Sequence, residues 1–526
     1  MLTSNENIID YSFEAPEVPD HIPTYEELSG VSRSRAEIED LSFRVLTKVE
    51  QKGLKALNDE EISHYRYYLT TRAYKLNAKG EATKPIHKAI ADLVLLDMNV
   101  FILNGDAYIY DTTNGAYIRD PEGKRICKKI RDLLEFEFIE DKTISSIYNL
   151  IIKDDTLTIH DSDINKRPKH WIHFKNGYFD YKTESYYPHD PKYNEISVIP
   201  WDYAPSRYPC NYKFVKRGKG LLRETVEEPL EFRRWLDHAI PDPEDQKMVL
   251  QYIAYSLTLE TNAQKFLIVS GSGGTGKSTL LSVVESIIGL NNISSVSLQG
   301  LQDRFTPGEL YLKQANICAD IPLSALSEVD MIKKLTGEDL ISADRKFKSN
   351  FMFKSFARLF FSANDIPVNL SDKSNAFYRR MLILRMDNKP DHVDPNLVEK
   401  LKSEIPNIIT LAVDELILSG GVIEESDNSK SAVKEAYKNS DTVEAFLDDR
   451  CEFDDKARID RVELYRIYCN YCDNEERKYV KRSNFYKQLA DKGFQSRRSK
   501  NNYDICGIKI RNVINMPGVN NYSSAG

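Results

Sequence analysis

A single stretch, KFLIVSGSGGTGKST at residues 265–279, constrains the fold of this chain more than any other. Phe266, Leu267, Ile268 and Val269 form a short apolar run of the kind that becomes a strand buried on both faces of a parallel sheet. Residues 271–278 then satisfy G-x-x-x-x-G-K-[ST] at every fixed position, and the LLSVVESIIGL behind them has the apolar spacing of the helix such a loop opens. Gly271, Gly273, Gly274 and Gly276 let backbone N–H groups crowd around phosphate oxygens, with Ser272 and Thr275 between them and Thr279 closing the run. Lys277 reaches the outer phosphates and Ser278 offers a hydroxyl to Mg²⁺. An α/β core with a nucleotide loop, using ATP and Mg²⁺, is therefore expected.

At 526 residues the chain is too long for one core, and about one domain per 150 residues predicts three or four. No apolar run reaches the roughly 18 residues of a membrane span, and the first residues lack the basic flank and apolar centre of a signal peptide. A cytoplasmic protein is expected, in a bacterial host. Seven irregularly spaced cysteines make no disulfide framework. Cys469 and Cys472 fall at helical spacing among apolar residues and read as core rather than as metal ligands, while His170 and His173 read as strand residues. With a formal net charge of −8, nucleic-acid contact has to come from local patches.

In chain order, residues 1–35 read as a disordered or loosely docked tail and 36–84 as a helical N-terminal region. Residues 85–227 read as one small α+β domain with a basic linker, KFVKRGKGLLR, at its end; Asn-Gly turns at 104–105, 114–115 and 176–177 predict its hairpins. Residues 228–420 form the ATPase domain, 421–440 a linker (EESDNSKS), 441–515 a C-terminal domain and 516–526 a tail.

A phosphate loop needs an acidic partner for Mg²⁺ at the end of a following core strand. ANICAD, about forty residues on, supplies Asp320. A later apolar strand, ARLFFSA, ends at Asn364, whose amide can bond the γ-phosphate or the attacking water. AFYRRMLIL places Arg379 and Arg380 before a further strand, where an arginine can enter a neighbouring subunit's site. Between acid and amide, residues 345–358 interleave Arg345, Lys346, Lys348, Lys354 and Arg358 with Phe347, Phe351, Phe353 and Phe356. This pattern suits a hairpin with one packed face and a cationic, aromatic tip, Lys346–Phe347–Lys348, against single-stranded DNA.

Near the C-terminus, ELYRIYCNYC and NFYKQLADKGF read as two helices followed by a basic strand pair. Residues 477–511 carry eleven Lys or Arg against two Asp in an otherwise acidic protein. That asymmetry fits a DNA-binding winged helix, with Arg497, Arg498 and Lys500 on the wing.

The order of residues 271–279, Asp320, LTGEDLISADRKFKS, LFFSANDIP and FYRR resembles superfamily 3 DNA helicases, in particular the phage, plasmid and poxvirus primase-helicase branch. WIHFKNGYFDYKT and QYIAYSLTLE extend the resemblance upstream, so that it covers roughly residues 85–515. It implies an AAA+-like P-loop ATPase core that assembles as a ring, commonly a hexamer, and moves 3′ to 5′ along single-stranded DNA. It also implies Lys277 and Ser278 as phosphate and Mg²⁺ groups, Asp320 as the second acidic motif and Asn364 as sensor. Arg380 is the expected finger, with Arg379 as alternative, and Lys346 and Lys348 belong to a central-channel hairpin. Many relatives pair two acids at the second motif, whereas Ala319 precedes Asp320 here, so Glu338 or Asp339 is a candidate helper. The N-terminal region leaves no room for a primase centre with clustered acids, and primase activity is not expected. Partners implied are single-stranded and origin DNA, further copies of the chain and host replication proteins. The competing readings are a DNA-binding ATPase switch that does not unwind, and a small-molecule kinase, against which the basic hairpin and C-terminus speak.

Overall fold

The computed structural model describes residues 25–26, 30–207, 212–217, 220–225, 230–303, 306–321, 330–345, 348–366, 376–475, 479–498 and 503–511. Most of the expected N-terminal tail, the whole of 516–526, Lys346, Phe347 and Lys500 lie outside the described residues. The chain divides into two compact units, Met1–Lys166 with Asp190–Ile196, and Arg167–His189 with Ser197–Gly526.

In the first unit, α1 (Arg35–Lys52) and α2 (Asp59–Thr70) start at capping boxes, Ser34 with Glu37 and Asn58 with Glu61, which satisfy otherwise orphaned N–H groups. A short hairpin, β1 (Tyr74–Leu76) with β2 (Ala82–Pro85), follows, so the helical region predicted to run to 84 ends in strands. After α3 (His87–Asp97) come β3 (Val100–Leu103), β4 (Asp106–Asp111) and β5 (Ala116–Arg119), then α4 (Lys124–Leu133), α5 (Asp141–Ile152) and β6 (Thr158–Ile159). The sheet order is β5-β4-β3-β6. Its first hairpin turns at Asn104 (φ 53°) and Gly105 (φ 81°), the left-handed pair that Asn-Gly supplies at least cost. Apolar faces of α3, α4 and α5 bury Ile90, Val94, Ile126, Ile130 and Ile147 against Ile102 of the sheet.

The second unit begins with a meander, β7 (Trp171–Phe174), β8 (Gly177–Asp180) and β9 (Ser185–Tyr187). Sequence reading assigned these residues to an 85–227 domain. Ile172, Phe174, Phe179 and Tyr181 instead share one core with the nucleotide-loop helix, and the Tyr181 hydroxyl donates to the Glu260 carboxylate at 2.6 Å. The expected basic linker is a hairpin, β10 (Tyr212–Arg217) with β11 (Gly220–Thr225). His173 is a strand residue as expected, whereas His170 lies in the turn before β7.

Next come α6 (Glu231–Ala239), α7 (Pro243–Tyr255), β12 (Phe266–Ser270), α8 (Lys277–Ile288), β13 (Ile293–Ser294), β14 (Ala315–Cys318) and α9 (Asp330–Thr336). They are followed by β15 (Leu340–Arg345), β16 (Lys348–Lys354), β17 (Arg358–Ala363) and β18 (Met381–Arg385). Five strands form a parallel sheet in the order β13-β14-β17-β12-β18, the layout expected of a P-loop core. Leu267 and Val269 face a layer made by α6, α7 and α8 with α11 (Ile405–Leu418), which follows α10 (Leu397–Ser403). Phe266 and Ile268 face the opposite cluster with Ile341, Ala343 and Phe353 of the antiparallel β15–β16 hairpin. The alternation predicted there is visible, since Leu340, Ser342, Met352 and Lys354 are exposed while Ile341, Ala343 and Phe353 are buried.

The segment expected as a linker at 421–440 is largely a helix, α12 (Asp427–Ser440). Ser426 caps it, Ala432 and Ala436 enter the core, and the Ser429 hydroxyl accepts the Ile383 N–H of edge strand β18 at 2.9 Å. Small polar residues at its start resemble a loop in composition but serve here as cap and edge cover. The C-terminal part runs α13 (Thr442–Arg450), β19 (Cys451–Asp460), α14 (Arg461–Asn474), α15 (Arg482–Asp491), β20 (Ser496–Arg498) and β21 (Tyr503–Ile510), with sheet order β19-β21-β20. Cys472 is buried and Cys469 half-buried in its core, and no cluster of metal ligands occurs among the described residues. None of the described helices is long and apolar enough to cross a membrane.

Glu415 of α11 is buried with its Oε2 unpartnered, and burial pushes its pKa up to about 7 despite the nearby Lys247 and Arg233 cations. A carboxyl whose folded pKa lies above its unfolded value costs stability as pH rises from the unfolded to the folded pKa. Glu415→Gln is therefore expected to be more stable than wild type at pH 8, with the difference shrinking by on the order of 2 kcal/mol at pH 5, as measured by urea denaturation at the two pH values.

Candidate functional site

Because β14, β17 and β12 run parallel, their carboxyl ends meet at one edge, where ligands sit in open α/β sheets. The loop after β12 occupies that edge. Lys277, the first residue of α8, is buried, and its ammonium donates to the carbonyls of Gly271 (2.6 Å) and Ser272 (2.9 Å) and to Asn364 Oδ1 (3.3 Å). The Thr275 hydroxyl ties the loop to Ser272 O at 3.0 Å. Ser272, Gly273, Gly274 and Ser278 are exposed, Thr275 is buried, and Gly276 and Thr279 are half-buried.

Glycine is enforced at the loop's start. Gly271 has φ 149°, and a Cβ there would lie 2.0 Å from Met386 O. At Gly273 a Cβ would meet nothing within 4 Å, so the crown of the loop has free space. Gly276 (φ 97°) is packed under the Met386 side chain and the Trp235 indole, each about 3.3–3.4 Å from a Cβ built there. Met386 also donates its N–H to Ser270 O at 2.8 Å. Sequence reading missed both residues, and an apolar side chain after a strand, like Met386, or within a helix, like Trp235, carries no signal of such a role.

Asn364 directly follows β17, and its strand separates the loop strand from β14. Asp320 lies just past β14, exposed and in the left-handed region (φ 52°). Its N–H donates to Ser362 Oγ at 3.1 Å, and the Ile321 N–H donates to Ser362 O at 2.9 Å. Ser362, a small polar residue near the end of an apolar strand, thus pins the acidic turn to β17. With strands about 4.8 Å apart, Asp320 stands roughly two strand spacings from the loop strand. The donor set fits a nucleotide with a divalent ion: a buried ammonium facing only neutral oxygens, an exposed serine hydroxyl on a helix N-terminus, and an exposed carboxylate.

Glu338 and Asp339 do not join this edge. Glu338 is paired with Lys169 at 2.7 Å and bonded by the Thr261 hydroxyl ahead of β12, and the Lys169 bond holds its carboxyl below the usual range. Asp339 acts electrostatically on Arg380. Glu338 therefore sits toward the amino-terminal edge of the sheet, and Asp339 adjoins it in sequence.

Arg380 is at that far edge too. It precedes Met381, which pairs in register with Phe266 at the start of β12, so about 16 Å of strand separates it from the loop. Its Nη1 donates to Ala376 O at 2.6 Å, its Nε is buried without a hydrogen-bond partner, and burial lowers its pKa. Arg379 is exposed, with its carbonyl accepting from Lys265 Nζ at 2.6 Å.

Of the expected DNA-contact residues, Lys348 begins β16, opposite Arg345. Arg358 departs from the basic block: it is buried as the first residue of β17, with its guanidinium 4.8 Å over the Tyr255 ring and donating to Phe356 O. In the C-terminal part Arg497 and Arg498 are exposed on β20, opposite Asp504 and Tyr503. Beside them is a group not singled out in sequence. Arg461 stacks on Tyr503 (4.7 Å) and Tyr486 (5.3 Å), and Arg482 donates to the Tyr486 hydroxyl at 3.0 Å.

With this geometry, residues 38–241 match the family described as D5 N terminal like, and residues 268–380 match a family of unknown function, DUF5906. Over residues 38–241 the chain is therefore similar to D5-like proteins. Among solved structures it is similar to the apo form of the NrS-1 C-terminal region, with 12% identity over 80% of this chain and 98% of that one at a TM-score of 0.43. An A-form apo structure of the same region is 16% identical over 68% of this chain and 79% of that one, with a TM-score of 0.40. The D5-like match takes in the first unit, the β7–β9 meander and α6, and the DUF5906 match runs from the loop strand to Arg380.

Gly271→Ala should force β18 and the loop apart. The expected result is at least a tenfold loss in nucleotide affinity by equilibrium titration and a lowered melting temperature, whereas Gly273→Ala should melt like wild type.

Proposed function

We propose that this D5-like chain is an ATP-driven replicative DNA helicase of a phage or mobile element, working as a ring, commonly of six copies, that moves 3′ to 5′ on single-stranded DNA. The observation that carries this reading is the opposition of two sheet edges. Lys277, Asn364 and Asp320 stand at one, and Arg380 stands at the other, beyond reach of its own loop. An arginine so placed can serve a phosphate site only in a neighbouring copy, which is what a ring supplies.

In that reading Lys277 neutralises the outer phosphates, and Ser278 and Asp320 hold Mg²⁺, which supplies charge neutralisation between the phosphates. Asn364 senses the terminal phosphate, and Arg380 of the adjacent copy stabilises charge developing in transfer. Lys346 and Phe347, which fall between the β15 and β16 segments in sequence, and Lys348, which begins β16, track the strand. The α13-to-β21 module is taken as a winged helix: its order is helix, strand, two helices and a strand pair, and Arg497, Arg498, Arg461 and Arg482 offer it phosphate contacts to duplex origin DNA.

The direct test is displacement of a 3′-tailed duplex, together with ATPase stimulation by single-stranded DNA. Wild type is expected to show both, and Lys277→Ala to bind DNA while losing both by at least a hundredfold. ATP hydrolysis by an intact oligomer without displacement or stimulation would favour the non-unwinding switch. Arg380→Ala is expected to lower turnover by about 10³ in the assembled ring while leaving nucleotide binding to the loop intact, and mixing it with Lys277→Ala should restore part of the activity, since each copy lends what the other lacks.

A further inference from the structure

At the edge of the sheet opposite the 271–278 loop, where β12 and β17 begin, Arg358 is a buried guanidinium short of acceptors. It is the first residue of β17, 5% exposed, with its Cζ 4.8 Å over the Tyr255 ring. Its Nη1 donates to Phe356 O at 2.8 Å, while its Nε and Nη2 are buried with no hydrogen-bond partner. It forms no ion pair among the described residues, and burial pulls its pKa below the ordinary arginine value. Glu260, the carboxylate that acts on it electrostatically, is already bonded by the Tyr181 hydroxyl at 2.6 Å and by Lys182 Nζ at 2.7 Å. A buried cation with unmet N–H groups is costly, and folded proteins rarely leave one so.

The same arginine forms part of the wall of a cavity of about 10 Å³. Tyr255, the turn residues Thr261, Gln264 and Lys265 ahead of β12, and Thr336 at the end of α9 line it with Arg358, and none of the residues lining it carries a carboxylate. Lys265 adds a second cation, paired with Glu425 at 2.7 Å. Glu338, which the Thr261 hydroxyl bonds, is taken up by Lys169 at 2.7 Å. Nε and Nη2 share one edge of the planar guanidinium, so their N–H groups converge on a single acceptor in front of it.

We infer that this cavity binds one monatomic anion, a halide such as chloride, on the Nε–Nη2 edge of Arg358. A cavity of this size has room for about one atom-sized guest, so a phosphate or carboxylate group exceeds it. Water would meet the same N–H groups but would leave the guanidinium without a counter-charge, whereas two cations and no acid in the wall favour an anion. The wall joins the lead into β12, the start of β17 and the end of α9, just ahead of hairpin strand β15. The ion therefore braces the root of the β15–β16 hairpin. Lys265 Nζ also donates to Arg379 O at 2.6 Å, which connects the site to the segment before β18.

Thermal unfolding of the full chain in sodium chloride and in sodium gluconate at equal ionic strength reads the site. Replacing gluconate by about 0.2 M chloride is expected to raise the wild-type melting temperature by about 2 °C and to leave that of Arg358→Leu unchanged. Gln264→Glu puts a carboxylate in the wall with almost no change of shape, and it should melt above wild type in gluconate and lose most of the chloride response. Wild-type crystals soaked in bromide should show an anomalous peak against the Nε–Nη2 edge of Arg358. Wild type that melts alike in the two salts, a full chloride response in Gln264→Glu or Arg358→Leu, or a bromide map with no peak at that edge would overturn the site. Should Arg358→Leu fail to fold, Gln264→Glu and the bromide map decide the matter.

Discussion

The ammonium of Lys277 is buried, and among the described residues no carboxylate pairs with it; its three contacts are two loop carbonyls and the oxygen of Asn364. Dipoles offset only part of the several kcal/mol that desolvating a cation costs, so the site remains electrostatically incomplete until an anion arrives. That one side chain also fixes the rest of the edge. By reaching Asn364 it ties the loop to β17, and β17 through Ser362 holds the turn that presents Asp320. The loop, Asn364 and Asp320 are thus one hydrogen-bonded series across adjacent strand tips, and displacing any of them strains the others.

The same central strand links this edge to the opposite one. Ile268 and Phe266 of β12 pack into the cluster that holds Ile341, Ala343 and Phe353 of the β15–β16 hairpin and Met381 beside Arg380. Protein cores respond to displacement by shifting between packed arrangements rather than by deforming continuously. Under the proposed function, a change in the loop on hydrolysis would therefore reach the hairpin root and the finger through close-packed side chains. The hairpin's exposed face, with Leu340, Met352 and Lys354, is left to follow without disturbing that core.

Much of this was legible in the sequence because the signals are local. The loop needs glycines at fixed spacing, the hairpin needs alternation, and Asn104-Gly105 needs left-handed backbone. What stayed hidden depends on distant pairing. No local pattern could show that the segment carrying Asn364 is inserted between those carrying the loop and Asp320, nor that Glu338 bonds Lys169 ahead of β7 and Thr261 ahead of β12. Arg358 reads as one more cation in a basic block, yet it begins a buried strand, where the Tyr255 ring beneath it and the Phe356 carbonyl accommodate its guanidinium. The α12 segment has loop composition, and β19 has ten residues with a mostly exposed, non-alternating face; both are held by what they pair with.

The grouping of residues 85–227 as one domain differs from the observed cores for a related reason. The β7–β9 meander has the same strand and turn chemistry as β3–β5, so sequence grouped them. What separates them is which core each completes: Ile102 and Ile109 face the helices of the first unit, while Phe174 and Phe179 close the layer over α6 and α8. That layer also carries Trp235, which packs on Gly276, so the meander buttresses the helix that shapes one wall of the loop. A preface of this kind is part of the support of the 271–278 loop, which gives a physical reason for the D5-like match to run through it to residue 241 instead of ending with the first unit.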